Sequence, residues 1–352
     1  MKRFLYSCFV SMVVCTHLGA DSGGSLVDRY VALAIQGDLQ PARALLDGTD
    51  GSAVIPGTTE ADLLMRFRER FVELSEPSSP GSGNALVDRV VSAYRGYWRQ
   101  ALMADAAAGS TSAAERQLQL ALAAALAQSQ YGATAAPSDT VYAALMPALR
   151  KQGFHALTSP APPLQDLLVW RDQETQEYEV VLTDQHRTVR VALLSGFSSL
   201  GWKDYAALGL ATTTGWVDGD TLYCVAWAYA PGTEQFEVSY LKHETRHLAD
   251  FERFPGLSSE ELEYRAKLTE LAFAAQTARR LLEDFSTKGA PNPASPHAAA
   301  NYRVVRDMYQ GLYGTDYPDG DGVWITVGAS QVNGVARRLL ERHTASLISL
   351  AP

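Results

Sequence analysis

His243-Glu244-Thr245-Arg246-His247 places two imidazoles and a carboxylate within five residues. On a helix, residues four apart stand one turn above each other, so His243 and His247 present their rings on the same side. That spacing suits two nitrogens binding one Zn²⁺ at about 2.0–2.1 Å each. Glu244 is rotated by about 100° from His243. It can stand beside the metal without binding it and take a proton from zinc-bound water, whose pKa the metal lowers to about 7. The bland alternative is a surface helix carrying two hydrogen-bonded histidines.

A catalytic zinc has a third protein ligand and an open position. Arg253 stands six residues after His247, so no third histidine follows at that spacing. The next stretch, Ser258 to Lys267, offers carboxylates. Ser258 and Glu261 have capping-box spacing, which gives Glu261 a local structural role. Glu260 falls in the first turn, where its charge suits the helix dipole. Glu263 is the first carboxylate clear of the cap, at the edge of an apolar stripe of Leu262, Ala266, Thr269 and Phe273. Glu270, two turns further on, is the runner-up, and Glu260 stays open as a substitute. Asp250 lies on the histidine stripe and reads equally as a carboxylate orienting a ligand imidazole or as a solvated acid; a role as a metal ligand is awkward because it projects from the same helix as both histidines. As a donor to a developing oxyanion, His297, Tyr302, Tyr309 and Tyr313 are available. The acidic run Asp316 to Gly322 lacks the spacing of an EF-hand loop and reads as a solvated turn. His155, His186 and His343 are isolated and receive no role.

The stretch from His243 to Glu270 resembles the gluzincin branch of HExxH zinc metallopeptidases, in which two helices supply His, His and Glu. Thermolysin-like enzymes and the CAAX prenyl endopeptidases share this layout. The resemblance implies that His243, His247 and Glu263 are zinc ligands and that Glu244 is the general base. Glu263-Tyr-Arg-Ala is similar to the Glu-x-x-Ala portion of the prenyl endopeptidases. Those enzymes carry an aspartate where this chain has Lys267, and they span membranes. The fold implied is α+β: a zincin-like domain of a small sheet, the HExxH helix and long helices, preceded by a helical N-terminal region.

The elements that must position these residues are legible in outline. Val238, Leu241, Thr245, Leu248 and Phe251 recur at helical spacing and bury one face of the HExxH helix, which stops at Pro255-Gly256. Upstream, Leu167–Trp170, Tyr178–Thr183, Thr188–Leu194 and Thr221–Tyr229 are rich in β-branched and aromatic residues and read as strands. The last of these would offer its edge to a substrate strand. From Ser25 to Arg150 the period is helical, with breaks at Gly37-Asp38, Pro77–Gly83 and Gly109–Ser112, and the character changes near Ser159-Pro-Ala-Pro-Pro163. The expected organisation is therefore a signal peptide over 1–20, a helical region over 21–158 and the metallopeptidase domain over 159–352.

The chain has 352 residues, a net charge of −9, 47 % hydrophobic residues and three cysteines. Lys2-Arg3 followed by an apolar run, too short to span a bilayer, reads as a secretory signal cleaved after Ala20. Cys15 invites a lipoprotein reading, although Val14 stands before it where a small residue is usual. Without the leader, 28 basic residues face 39 acidic ones. A net of −11 disfavours nucleic acid and anionic membranes as partners. Only Cys224 remains, which excludes disulfide staples and a Cys-only zinc site. No membrane span is expected in the mature chain. The expected function is an exported zinc peptidase, periplasmic or secreted, acting on a peptide or protein. The alternative is an exported helical scaffold in which zinc is structural or absent.

Overall fold

The structure is a computed structural model that describes residues 10–14, 25–37, 39–48, 58–75, 81–104, 110–129, 140–289, 296–318 and 323–350. Cys15, the cleavage point after Ala20 and the end of the acidic run (319–322) lie outside these residues. The fold is mixed α+β, with two small sheets and a majority of helix. No helix among the described residues is long and apolar enough to cross a membrane.

The chain divides into two compact units that interleave in sequence, one holding residues 11–173 and 194–214, the other 174–193 and 215–352 with residues 1–10. The first contains α1 (Leu26–Ala34), α2 (Leu39–Asp47), α3 (Thr59–Phe67), α4 (Ala85–Leu102), α5 (Ser110–Ala127) and α6 (Thr140–Lys151). Side chains start several of these helices. Ser25 and Asp28 form a capping box on α1, and Asn84 Oδ1 accepts from the Leu86 and Val87 amides of α4. Such caps satisfy N–H groups that a helix start leaves without partners. The unit's core runs from Tyr30 and Leu39 through Tyr94 and Trp98 to Trp202.

The same unit holds a three-stranded sheet in the order β2 (His155–Ala161), β3 (Leu164–Trp170), β6 (Ser199–Leu200). The expected boundary at 158/159 falls inside β2, which pairs antiparallel with β3 through the turn at Pro162-Pro163. β6 pairs only with Leu168 and Val169. Side chains serve the rest of that flank of β3. Gln165 donates its amide to Tyr97 Oη at 3.1 Å, its carbonyl accepts from Trp98 Nε1 at 2.8 Å, and Ser199 Oγ donates to the Leu167 carbonyl at 2.7 Å. The short helix α7 (Trp202–Ala206) follows.

The five-stranded sheet has the order β1 (Val10–Val14), β7 (Ala211–Asp218), β8 (Thr221–Val225), β5 (His186–Ser195), β4 (Asp172–Val181). β1 lies within the stretch expected to be the leader. The division between units passes through β4, β5 and β7. β7 and β8 close through Gly219-Asp220, where Gly219 takes the φ of 62° that a two-residue hairpin turn requires. β8 is flanked on both sides, by β7 and by β5. The expectation that Thr221–Tyr229 offers an open edge to substrate is therefore corrected: its backbone groups are already spent on neighbours, and the strand ends at Val225.

In the second unit a π-helix, Gln235–Lys242, runs directly into α8 (His243–Arg253). α9 (Ser259–Phe273), α10 (Ala278–Lys288), α11 (Pro296–Tyr313) and α12 (Ala329–Leu350) complete it. α9 is central, packed against α8, α10, α11, α12 and the π-helix. It is buried on every side from Leu262 to Ala272, rather than along one stripe. Leu268, Leu271, Leu282, Val304 and Val332 form the core around it, and each buried aliphatic side chain contributes about 1.5–3 kcal/mol. Its C-terminal carbonyls are received by α12. Asn333 donates to Leu271 and Ala274, and Arg337 to Ala272.

Candidate metal centre

Two helices bring the ligand atoms together. The capping box of Ser258 and Glu261 fixes the start of α9, and Glu263 follows it into the interior facing α8. His243 Nε2 and His247 Nε2 are 3.1 Å apart. Glu263 approaches His247 Nε2 with Oε1 at 3.3 Å and His243 Nε2 with Oε2 at 3.7 Å. A tetrahedral site with bonds of about 2.0–2.1 Å has ligand–ligand edges of about 3.3–3.4 Å. The three donors thus stand near the separations one ion would impose, and all three are buried.

The surrounding groups fix this arrangement. Glu270 Oε1 lies 2.8 Å from His243 Nδ1, which assigns the Nδ1 proton to that bond and turns the Nε2 lone pair toward His247 and Glu263. Burial alone would lower the pKa of His243, yet the Glu270 bond and the neighbouring carboxylates raise it. Burial would likewise raise Glu263, but His297 and His247 hold its carboxyl well below the usual range. Lys267 Nζ lies 3.7 Å and His297 Nδ1 3.0 Å from Glu263 Oε2. Among the described residues, Glu244, Glu263 and Glu270 are all buried here, and Lys267 pairs with Glu263. Buried carboxylates require counter-charge or coordination, and two imidazoles beside a carboxylate are a donor set that fits a divalent metal.

Glu244 is buried beside His243, and its charge acts on the Cys224 thiol and on Tyr240 as well. Burial, then Glu244, pushes the free Cys224 thiol up to about 12, so it is an inert neighbour rather than a ligand.

The structure thus brings His243, His247 and Glu263 together, and it gives other candidates different surroundings. Glu260 and Glu261 stay in the first turn of α9. Glu270 partners His243. Asp250 is neither an imidazole partner nor a solvated acid: it is fully buried between Arg265, at 2.7 and 3.0 Å, and Arg246, at 3.4 Å. Arg246 reaches on to Asp184, and Arg265 to His343 and Thr344. His297 borders the site, while Tyr309 and Tyr313 join an aromatic cluster with Tyr317 and Trp324. Tyr302 packs its backbone against Gly289. His155 stacks on Trp170 and His186 pairs with Glu179. Sequence reasoning missed Lys267 as a partner of Glu263, although their i, i+4 spacing is the signal that finds it.

Compared with family models, with curated proteins and with solved structures, the chain finds no match. The functional reading therefore stands on the residues. His243, His247 and Glu263 form a group that could hold a metal ion.

Proposed function

We propose that this chain is an exported zinc metallopeptidase with a zincin-like catalytic unit. The reading is carried by one observation: three donors from two helices converge in one buried site that could hold a metal ion. His243, His247 and Glu263 hold the ion. When bound, zinc supplies a Lewis acid that polarises the scissile carbonyl and makes water acidic enough to lose a proton near neutral pH. Glu244 takes the proton of the attacking water and delivers it to the leaving amine. Glu270 keeps the His243 ring in its orientation and tautomer. His297, whose side chain is 36 % exposed, sits on the solvent side of Glu263.

Metal analysis of the purified chain should give one zinc per molecule. Chelator-sensitive cleavage of a broad peptide library should accompany it. Glu244→Gln should keep the zinc and lower turnover by about 10²–10⁴-fold, the usual worth of a positioned acid–base group. His243→Ala should lose both metal and activity. Undiminished peptidase activity in Glu244→Gln would falsify the mechanism.

The near-complete burial of His247, Glu244 and Glu263 favours a second reading, an exported scaffold in which the zinc is structural. Stoichiometric zinc without any library cleavage selects it.

A further inference from the structure

A cleft of about 190 Å³ lies wholly among residues of the first unit. Two guanidiniums and a carboxylate line it: Arg70 from the π-helical turn Arg68–Val72, Arg95 from α4 and Asp204 from α7. Trp98, Phe197 and Tyr205 add their rings. The set is held in place by its own contacts. Arg70 stacks its guanidinium on the Tyr205 ring, 4.6 Å from the centre, and donates from Nη1 to the Tyr205 carbonyl at 2.6 Å. Tyr205 Oη accepts from Arg99 Nε at 3.3 Å, and Trp98 Nε1 donates to the Gln165 carbonyl. Trp98 and Tyr205 are buried, and the three charged side chains are half-buried. Both arginines act on Asp204, whose carboxyl burial pushes up to about 6 against the pull of Arg70 and Arg95. The three charges therefore share one space.

A guanidinium presents its N–H donors as a fork that fits a carboxylate, whereas an ionised carboxylate only accepts. A ligand carboxylate by itself would suit Arg70 and Arg95 but face Asp204 with the same sign. A carboxylate with a hydroxyl or an ammonium on the neighbouring carbon satisfies all three groups. A cavity of about 150 Å³ holds a benzene ring, so the cleft takes a molecule of about eight non-hydrogen atoms, its apolar part against the rings. We propose that this cleft binds a small 2-hydroxy or 2-amino carboxylic acid, with the carboxylate on Arg70 and Arg95 and the 2-substituent on Asp204. Rings and guanidiniums already fixed by Tyr205, Arg99 and Gln165 lower the ordering cost of binding. The site does not depend on the metal reading.

The test titrates the full-length chain with L-valine, 2-hydroxy-3-methylbutanoate, 3-methylbutanoate and inorganic phosphate, with affinity read by calorimetry. One of the first two should bind about 10-fold or more tighter than 3-methylbutanoate, which lacks the donor, the usual worth of a hydrogen bond to a charged group. Which of them binds tells the amino acid from the hydroxy acid. Arg95→Met should weaken that ligand by about 10–100-fold. Asp204→Ala should erase its advantage over 3-methylbutanoate. Binding of none of the acids, of phosphate alone, or of all three acids equally overturns the proposal. Undiminished affinity in a folded Arg95→Met chain does so too. Should Asp204→Ala fail to fold, the order of the ligands on the wild type and the Arg95→Met chain decide. None of these outcomes bears on the metal reading, which zinc content tests separately.

Discussion

Asp166 carries its charge where the surroundings oppose it. Burial pushes its carboxyl up to about 6, and the amides of Trp202 and Leu167, which donate to Oδ1 at 2.8 and 3.0 Å, offset only part of that. A carboxyl raised above its unfolded value adds stability that is complete below the unfolded pKa and is lost as pH rises through the folded one. Asp166→Asn keeps the acceptor and removes the titration. Relative to wild type, the variant should therefore gain about 2 kcal/mol between pH 4 and pH 7, the larger part of what some two pKa units at about 1.4 kcal/mol each amount to. Urea midpoints at the two pH values read this, and a constant difference between them would refute it. Residues differ in how far the sequence announces them. His243 and His247 are legible because their spacing matches the helix turn, and Glu263 because the cap assigns its competitors. Asp250 was not, since its partner Arg265 lies on another helix and only packing brings it there.

At the level of elements, the helices that carry the ligands follow from their 3.6-residue period, and the strands from theirs of two. Strand order does not, because alternation says that a segment pairs without saying with what, and β8 accordingly turned out flanked on both sides. The π-helix before α8 escapes notice for a related reason: its residues also suit an α-helix. Gly215 shows how closely these elements approach. A Cβ there would come within 2.6 Å of the Tyr240 ring on the π-helix and 2.9 Å of the Tyr223 carbonyl on β8. Glycine in a strand interior marks such approaches. Gly215→Ala should cost about 1–3 kcal/mol, the usual penalty for overpacking. Tyr240 neighbours Glu244, so the variant should also lower peptide turnover more than it lowers metal affinity. A fully stable and active Gly215→Ala chain would contradict the packing described.

The described residues form a hydrophobic core in each unit, and the candidate ligands His243, His247 and Glu263 all belong to the second. A ligand that binds the folded state alone stabilises it by about 4 kcal/mol at a thousandfold excess over its Kd. Calorimetry with zinc and with a chelator should therefore show the unfolding of the unit that holds α8 and α9 move to higher temperature with zinc. An unchanged melting temperature with stoichiometric zinc would argue against a metal held by α8 and α9. Composition and periodicity made the mixture of helix and sheet readable, but not the interleaving, since the chain leaves and re-enters each unit within single strands.

The flank of β3 holds a last consequence. Strand edges with free amides and carbonyls are templates on which another chain can add itself, the usual first step toward aggregates. β6 covers this edge only at Leu168 and Val169, and beyond it Tyr97 and Trp98 take the amide and the carbonyl of Gln165. A phenol and an indole fixed on a helix thus act as a missing strand. They take positions that an incoming strand would otherwise use.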